Sequence, residues 1–441
     1  MVNGPQISLK NIFLSFGEKQ IFENLNLLVQ PRDRIALVGR NGSGKSTLLK
    51  VLQGVVLQDE GERILSKGLS VGYLEQDPNL GEFATLKDYV CSGALVNDYH
   101  KGEKVAKNLG VDLEMPLNAS SGGERRRAAL IKLIAENHDV MLLDEPTNHM
   151  DVEAIEWLEA ELKSSIKSFI IISHDRKFLS NLTDDTIWLD RGQARRCSIG
   201  FGGFESWRDK IWSEEDEKIH KLKRKIHSES RWAVEGISAR RTRNQGRLKN
   251  LEKLRAEKRS YSSRSGLAKM KLESRTKSGQ LVLKVDKVSK SFGDQCIIRN
   301  FSIQIKKGDR IGIVGPNGIG KSTLLKILLG EVNPDFGTAK LGSNLIIAKF
   351  DQMREQLNLE NSLWQNLTNE SNMKSSGQAG QILVRGKAKH VAGYLKEFLF
   401  SESQLRLPVK SLSGGEKARL LLAKLMTRES NLLILDEPTN D

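Results

Sequence analysis

Gly39-Arg-Asn-Gly-Ser-Gly-Lys-Ser-Thr47 recurs 276 positions later as Gly315-Pro-Asn-Gly-Ile-Gly-Lys-Ser-Thr323. Each copy fits G-x-x-x-x-G-K-[ST]. In this pattern glycines let successive backbone N–H groups turn inward around phosphate, and the following helix presents its positive N-terminal end. Gly39, Asn41, Gly42, Gly44 and Thr47 would shape the first loop, and Gly315, Asn317, Gly318, Gly320 and Thr323 the second. Lys45 and Lys321 would reach the outer phosphates, while the Ser46 and Ser322 hydroxyls would bind Mg2+.

Working outward, the chain reads as an internal duplication. Ser15-Phe16-Gly17 and Ser291-Phe292-Gly293 share the 276-residue offset, as do Gln76 and Gln352. Ser121-Gly-Gly-Glu124 and Ser413-Gly-Gly-Glu416 are 292 apart, as are Asp144-Glu-Pro-Thr-Asn148 and Asp436-Glu-Pro-Thr-Asn440. The second copy therefore carries a net insertion of 16 residues between its glutamine and its Ser-Gly-Gly-Glu. Two domains are expected, over 5–200 and 281–441, with a connector over 201–280.

Alternating apolar strand-like runs and helix-like stretches predict an α/β fold, a sheet covered by helices, in each copy. Arg34–Val38, Val140–Leu143, Arg310–Val314 and Leu432–Leu435 read as buried strands. Each feeds a motif at its carboxyl end, where such sheets place ligands. Asp144 and Asp436, closing two of these strands, are the natural Mg2+-holding carboxylates, and the adjacent Glu145 and Glu437 could orient the attacking water.

The 441 residues suffice for two or three domains with separate cores. The balance of 69 Lys+Arg against 55 Asp+Glu, a formal charge of +14, favours an anionic partner. Cys91, Cys197 and Cys296 lie far apart with no C-x-x-C pair, which argues against a disulfide framework or zinc knuckle and fits a reducing cytosol. The start has no basic segment before an apolar stretch, and no run approaches the roughly 18 apolar residues of a membrane span. The expectation is a cytoplasmic protein without a membrane-spanning segment.

With Ser-Gly-Gly-Glu followed by a helix, the chain resembles ABC-type ATPases, whose signature separates them from other P-loop enzymes. Leu412-Ser-Gly-Gly-Glu416 fits fully; Ser120-Ser-Gly-Gly-Glu124 departs at the leading leucine, which predicts altered packing rather than lost binding. The resemblance implies two tandem P-loop domains that bind and hydrolyse ATP with Mg2+. It places Ser121, Gly122, Gly123, Ser413, Gly414 and Gly415 at γ-phosphate, and Phe16 and Phe292 against adenine. It makes Gln76 and Gln352 sensors of Mg2+ and water, His174 in Ile171-Ile-Ser-His-Asp-Arg176 the switch histidine, and Asp151 the D-loop aspartate.

Residues 205–278 hold 22 Lys+Arg against 11 Asp+Glu, a net +11. Ile211, Ile219, Leu222 and Ile226 fall near one helical face, and Leu248, Leu251 and Leu254 mark a second helix, so an α-helical hairpin is expected. Its turn would lie near Glu235–Asn244, where Arg240, Arg241 and Arg243 suit phosphate pairing and stacking on RNA bases. The stretch Trp232–Arg247, ending at Arg247, resembles the interdomain linker of the Uup-like subgroup of the ABC-F family. That resemblance implies contact with the ribosome and its tRNA and rRNA, or with DNA, and no obligate transporter subunit.

ABC domains work head to tail, which would pair Gly39–Thr47, Asp144, Glu145 and His174 with Ser413–Glu416, and Gly315–Thr323, Asp436 and Glu437 with Ser121–Glu124. The 292-residue offset puts a second D-loop aspartate and switch histidine past Asp441, so the second domain is expected to be incomplete, with an open strand edge and reduced or absent activity. Two other readings stand beside this one: an ATP-binding module without turnover, and a transporter ATPase subunit.

Overall fold

The computed structural model describes the chain except residues 1–3, 18, 76–77, 79, 82, 93–98, 149, 236–249, 256–279, 294, 317, 351–356, 369–379, 385–386, 413, 428–429 and 436–441. Two compact units emerge. One gathers Met1–Lys107, Val111–Pro146 and Glu159–Ser265; the other gathers Asn108–Gly110, Thr147–Leu158 and Gly266–Asp441.

In the first unit the phosphate-loop strand lies inside a six-stranded sheet. Its order is β5 (Val71–Leu74), β6 (Val140–Asp144), β7 (Ser168–Ile172), β3 (Arg34–Gly39), β8 (Asp185–Asp190) and β9 (Gln193–Cys197). All neighbours pair in parallel except β9, which returns antiparallel along β8. The sequences Val-Met-Leu-Leu-Asp and Ser-Phe-Ile-Ile-Ile of β6 and β7 are buried throughout, as continuous apolar runs in parallel sheets require. Asp144 lies opposite Ile172, and Ala36 opposite Ile171. The carboxyl ends of β6, β7 and β3 thus finish side by side, so segments far apart in sequence share one edge of the sheet.

A second, antiparallel sheet of β2 (Lys19–Val29), β1 (Ile7–Phe16) and β4 (Glu60–Leu65) shares a core with α1 (Lys45–Gln53). Leu48, Leu49, Val51 and Leu52 of α1 are fully buried there with Ile7, Phe22, Ile35 and Val140. After α2 (Leu86–Cys91) and α3 (Tyr99–Asn108), α4 (Gly122–Ala135) packs on α2. Asp151 accepts from Ala154 N at the start of α5 (Val152–Ser164), and Asp175 caps α6 (Arg176–Leu182).

The long helix α7 (Phe201–Glu235) is rooted by aromatic packing. The Trp188 ring lies 6.0 Å from both Trp207 and Trp212 and 6.3 Å from Phe204. The expected apolar stripe is present: Leu222 is buried, and Ile211, Ile219 and Ile226 are half-buried. A short helix α8 (residues 250–255) returns beside it, with Leu251 and Leu254 buried and Arg255 donating to Ser230 Oγ at 3.2 Å. The hairpin turn and its arginines, Arg240, Arg241, Arg243 and Arg247, lie outside the described residues.

In the second unit β11 (Gln295–Lys306), β10 (Leu281–Phe292) and β12 (Phe336–Leu341) repeat the first antiparallel sheet, with α9 (Lys321–Leu328) following the second loop. β13 (Ile347–Phe350) pairs in parallel with β16 (Leu432–Leu435), repeating β5 and β6. The insertion can also be placed. A bridge joins Thr85 to Pro116 in the first copy and Ser362 to Pro408 in the second. Between the latter two stand α10 (Leu363–Thr368), a hairpin of β14 (Gln381–Val384) and β15 (Lys387–His390), and α11 (Val391–Glu397). α12 (Gly414–Thr427) follows the second Ser-Gly-Gly-Glu turn.

One expected strand is corrected. Arg310–Val314 pairs with no strand among the described residues, and Ile311, Ile313 and Val314 are 49%, 38% and 82% exposed. In the first copy the corresponding strand β3 is held by β7 and β8, both of which follow the Asp-Glu-Pro-Thr-Asn motif. Among the described residues segment 310–314 has no such partners, and it borders a cavity of about 740 Å³ lined by Ile303, Leu324 and Leu433. Leu432–Leu435 is a strand as expected, but it is half-buried and Leu435 is 45% exposed.

Candidate nucleotide site

The first phosphate loop has the backbone its glycines permit. Gly42 and Gly44 adopt φ of 76° and 94°, where a side chain is strained, and Gly44 caps α1. A Cβ on Gly44 would come within 2.7 Å of Ile21 Cγ2 and 3.1 Å of Phe22 Cε1, so β2 also demands glycine there. The second loop repeats this, with Gly320 at φ 102° beneath Ile297. Lys45 Nζ donates to the Gly39 and Arg40 carbonyls at 3.0 and 3.2 Å, and Lys321 Nζ to those of Gly315 and Pro316 at 2.7 and 2.8 Å. Both ammonium groups thus curl over their loops. Ser46, Thr47, Ser322 and Thr323 occupy the first turns of α1 and α9.

Three strand ends converge on the first loop. Ser46 stands close enough to the Asp144 carboxylate to stabilise its charge, bringing together two oxygen donors of the kind a hard divalent cation selects. Tyr73, from β5, places its hydroxyl 3.5 Å from Asp144 Oδ2. Glu145 is 6% exposed; its Oε2 accepts from His174 N at 3.1 Å, and its Oε1 lies 3.4 Å from His174 Nε2. Among the described residues no group of three or more His, Cys, Asp or Glu could enclose a metal. A cation here would complete its shell with phosphate oxygens and water, as Mg2+ does in nucleotide sites.

Burial sets the electrostatics. It pushes the Asp144 carboxyl up from its usual range, opposed by nearby Ser46 and then by Arg126 and Lys45. It likewise raises Glu145, opposed chiefly by His174, and lowers the Lys45 ammonium, opposed by Glu145 and Asp144. A buried carboxylate beside a histidine, next to a phosphate cradle, can polarise water without diverting protons to bulk solvent.

Ser121 caps α4 through a capping box with Glu124, leaving the N–H groups of Gly122 and Gly123 at the positive helix end. Ser120, which stands where the second copy has Leu412, is buried and turns its hydroxyl to the Leu117 carbonyl at 2.6 Å. Leu412 is instead buried in an apolar cluster of the second unit. Gly414 and Gly415 open α12. Phe16 and Phe292, at the ends of β1 and β10, are 53% and 55% exposed. Gln76, Asn317, Gln352, Ser413, Asp436 and Glu437 lie outside the described residues.

Sequence reading missed two neighbours of this site. Tyr73 gave no signal. Arg126, whose guanidinium reaches the Asp144–Glu145 turn, was hidden in the run Arg125-Arg-Arg127, which reads as a solvated face.

A doubled phosphate cradle, the first at the carboxyl edge of a parallel sheet and each followed in sequence by Ser-Gly-Gly-Glu at the start of a helix, defines a tandem ABC-type ATPase. The ABC transporter family profile matches residues 22–148 and 298–440. The ATP-binding protein Uup of Caulobacter vibrioides is 46% identical over 440 residues, covering 99% of this chain and 71% of that protein. Uup of Escherichia coli is 36% identical over 475 residues, covering 99% and 74%. The energy-dependent translational throttle protein EttA of E. coli is 32% identical over 470 residues, covering 96% and 82%. The chain belongs to the ABC-F family of ATP-binding, ATP-hydrolysing proteins, in its Uup group. Among the described residues no helix is long and apolar enough to cross a membrane.

Proposed function

We propose that this chain binds Mg2+-ATP in both phosphate loops and couples its hydrolysis to contact with ribosomal RNA or tRNA through the basic linker, in the cytoplasm. The pairing of Glu145 with His174 beside the Lys45 loop carries the reading. In it, Ser46 and Asp144 hold the cation, which supplies charge neutralisation at the phosphates. Lys45 and the loop amides position the γ-phosphate. Glu145 orients the attacking water, and His174 fixes the Glu145 carboxylate and contacts the γ-phosphate. Ser322 and Lys321 take the corresponding roles in the second loop, with Asp436 and Glu437.

The linker's net +11 supports an anionic partner, and the translational role in EttA's name favours RNA over DNA. A Glu145→Gln variant of the full chain tests the first half. Phosphate release at the parent rate would exclude Glu145 as the acting carboxylate. Co-sedimentation of that variant with ribosomes in ATP, set against DNA gel shift over a salt series, tests the second. A variant that shifts DNA yet stays in the supernatant at physiological salt sinks the ribosomal reading.

A further inference from the structure

Arg126 lies in the first turns of α4, and its side chain runs into the protein, leaving the residue 6% exposed. Its Nη2 donates to the carbonyl oxygens of both Asp144 and Glu145, each at 2.8 Å. Burying a guanidinium is costly unless its donors are well placed. Here Nη2 meets the backbone of the turn that carries the two carboxylates. That turn needs holding, because Glu145 has φ 52°, a left-handed conformation that strains a non-glycine residue.

The N–H side of the turn is secured from β7, where Glu145 N donates to Ile172 O at 2.8 Å. Arg126 secures the carbonyl side. The same α4 begins at the Ser121-Gly-Gly-Glu124 cap, so one side chain joins the signature turn to the carboxylate turn. At the position corresponding to Arg126 the second copy carries Ala418, between Lys417 and Arg419, and so has no side chain there that could make these bonds.

We propose that Arg126 is a positioning residue for ATP hydrolysis: by clamping the Asp144 and Glu145 carbonyls it fixes the turn that aims the Glu145 carboxylate at His174. The proposal rests on Glu145 being the carboxylate that acts on water. Arg126→Met of the full chain fills similar volume without donors, and Arg126→Lys keeps them. For the methionine variant kcat falls tenfold or more, while KM and ATP affinity stay within twofold; lysine restores at least a third of the parent kcat.

A methionine variant with kcat within twofold of the parent overturns the proposal. So does a kcat loss matched by an equal loss of ATP affinity, or one that lysine fails to restore, since either marks a merely structural role. If the methionine variant does not fold, Arg126→Gln takes its place: a threefold or larger fall in kcat at unchanged ATP affinity supports the clamp, and a smaller one overturns it. Glu145→Gln measured alongside separates the two ideas. Parent activity in Glu145→Gln removes the reading of Glu145, whereas an inactive Glu145→Gln with a fully active Arg126→Met removes only the clamp.

Discussion

The His174 backbone N–H donates to Glu145 Oε2 at 3.1 Å while its ring Nε2 lies 3.4 Å from Oε1, so one histidine engages both carboxylate oxygens. Replacing the ring leaves the backbone bond in place. His174→Ala is therefore expected to fold with an unchanged melting temperature and to lose ATP turnover by about 10²-fold, the lower end of what a positioned proton-handling group contributes. Steady-state phosphate release at saturating ATP measures this, and a parent-like rate would remove His174 from the mechanism.

Gly44→Ala meets two obstacles at once, a φ of 94° and a Cβ position 2.7 Å from Ile21 Cγ2. The strain and the displaced side chain together predict a loss of about 1–3 kcal/mol of stability. ATP binding should be lost with it. Chemical unfolding and equilibrium binding of a fluorescent ATP analogue report the two effects separately.

Gly122→Ala is the contrasting case. It stands in the first turn of α4 with nothing within 4 Å of its Cβ position. Alanine there is neutral or stabilising by up to about 1 kcal/mol. If the serine-glycine turn meets nucleotide, the added methyl blocks that approach, so activity is expected to fall at least tenfold while the melting temperature holds or rises. A fully active variant would show that the turn touches nothing.

Glu124 supplies a pH prediction. Hydrogen bonds from Ser121 N and Oγ, at 2.8 and 2.7 Å, hold its carboxyl below the usual 4.5. A carboxylate lowered in the fold stabilises fully above its unfolded value, and that stabilisation is lost as pH falls through the folded value. Glu124→Gln should thus be less stable than the parent near neutrality, and the gap between their melting temperatures should close as pH drops below the usual 4.5 and through the lowered folded value. A gap that stays constant with pH would show that the charge contributes nothing.

For the linker, replacing Arg240, Arg241 and Arg243 together by alanine should weaken RNA binding and flatten its salt dependence. On single strands the logarithmic slope should fall by about 0.7 for each phosphate that the arginines had neutralised. Filter binding over a salt series gives the slope. An unchanged slope would mean that RNA is held by other parts of the chain.

The glycine turns of both loops, the strand runs Arg34–Val38, Val140–Leu143 and Leu432–Leu435, and the strand-end position of Asp144 were legible because glycine turns and uniformly apolar strands are local signals. The strand reading of Arg310–Val314 was local too, and it failed because a parallel strand exists only through neighbours, which β7 and β8 supply to its counterpart. Arg126 was illegible for a related reason: an arginine in a basic run looks solvated until the carbonyls of Asp144 and Glu145 come beneath it. Nor could the spacing of the Trp188 ring from Trp207 and Trp212 be anticipated, since β8 and α7 are each ordinary when taken alone.

That aromatic root has a mechanical consequence. The 35 residues of α7, at about 1.5 Å each, make a rod of roughly 52 Å whose fulcrum is Trp188 on β8, the strand next to the phosphate-loop strand. With the fulcrum gripped by three rings, the rod has little freedom to swivel independently of the sheet. With about 40 Å of helix beyond the fulcrum, one degree of tilt in β8 would carry the far end of α7 through roughly 0.7 Å. Displacements too small to disturb the core at the nucleotide loop would thus reach the far end of the rod as atomic-scale strokes.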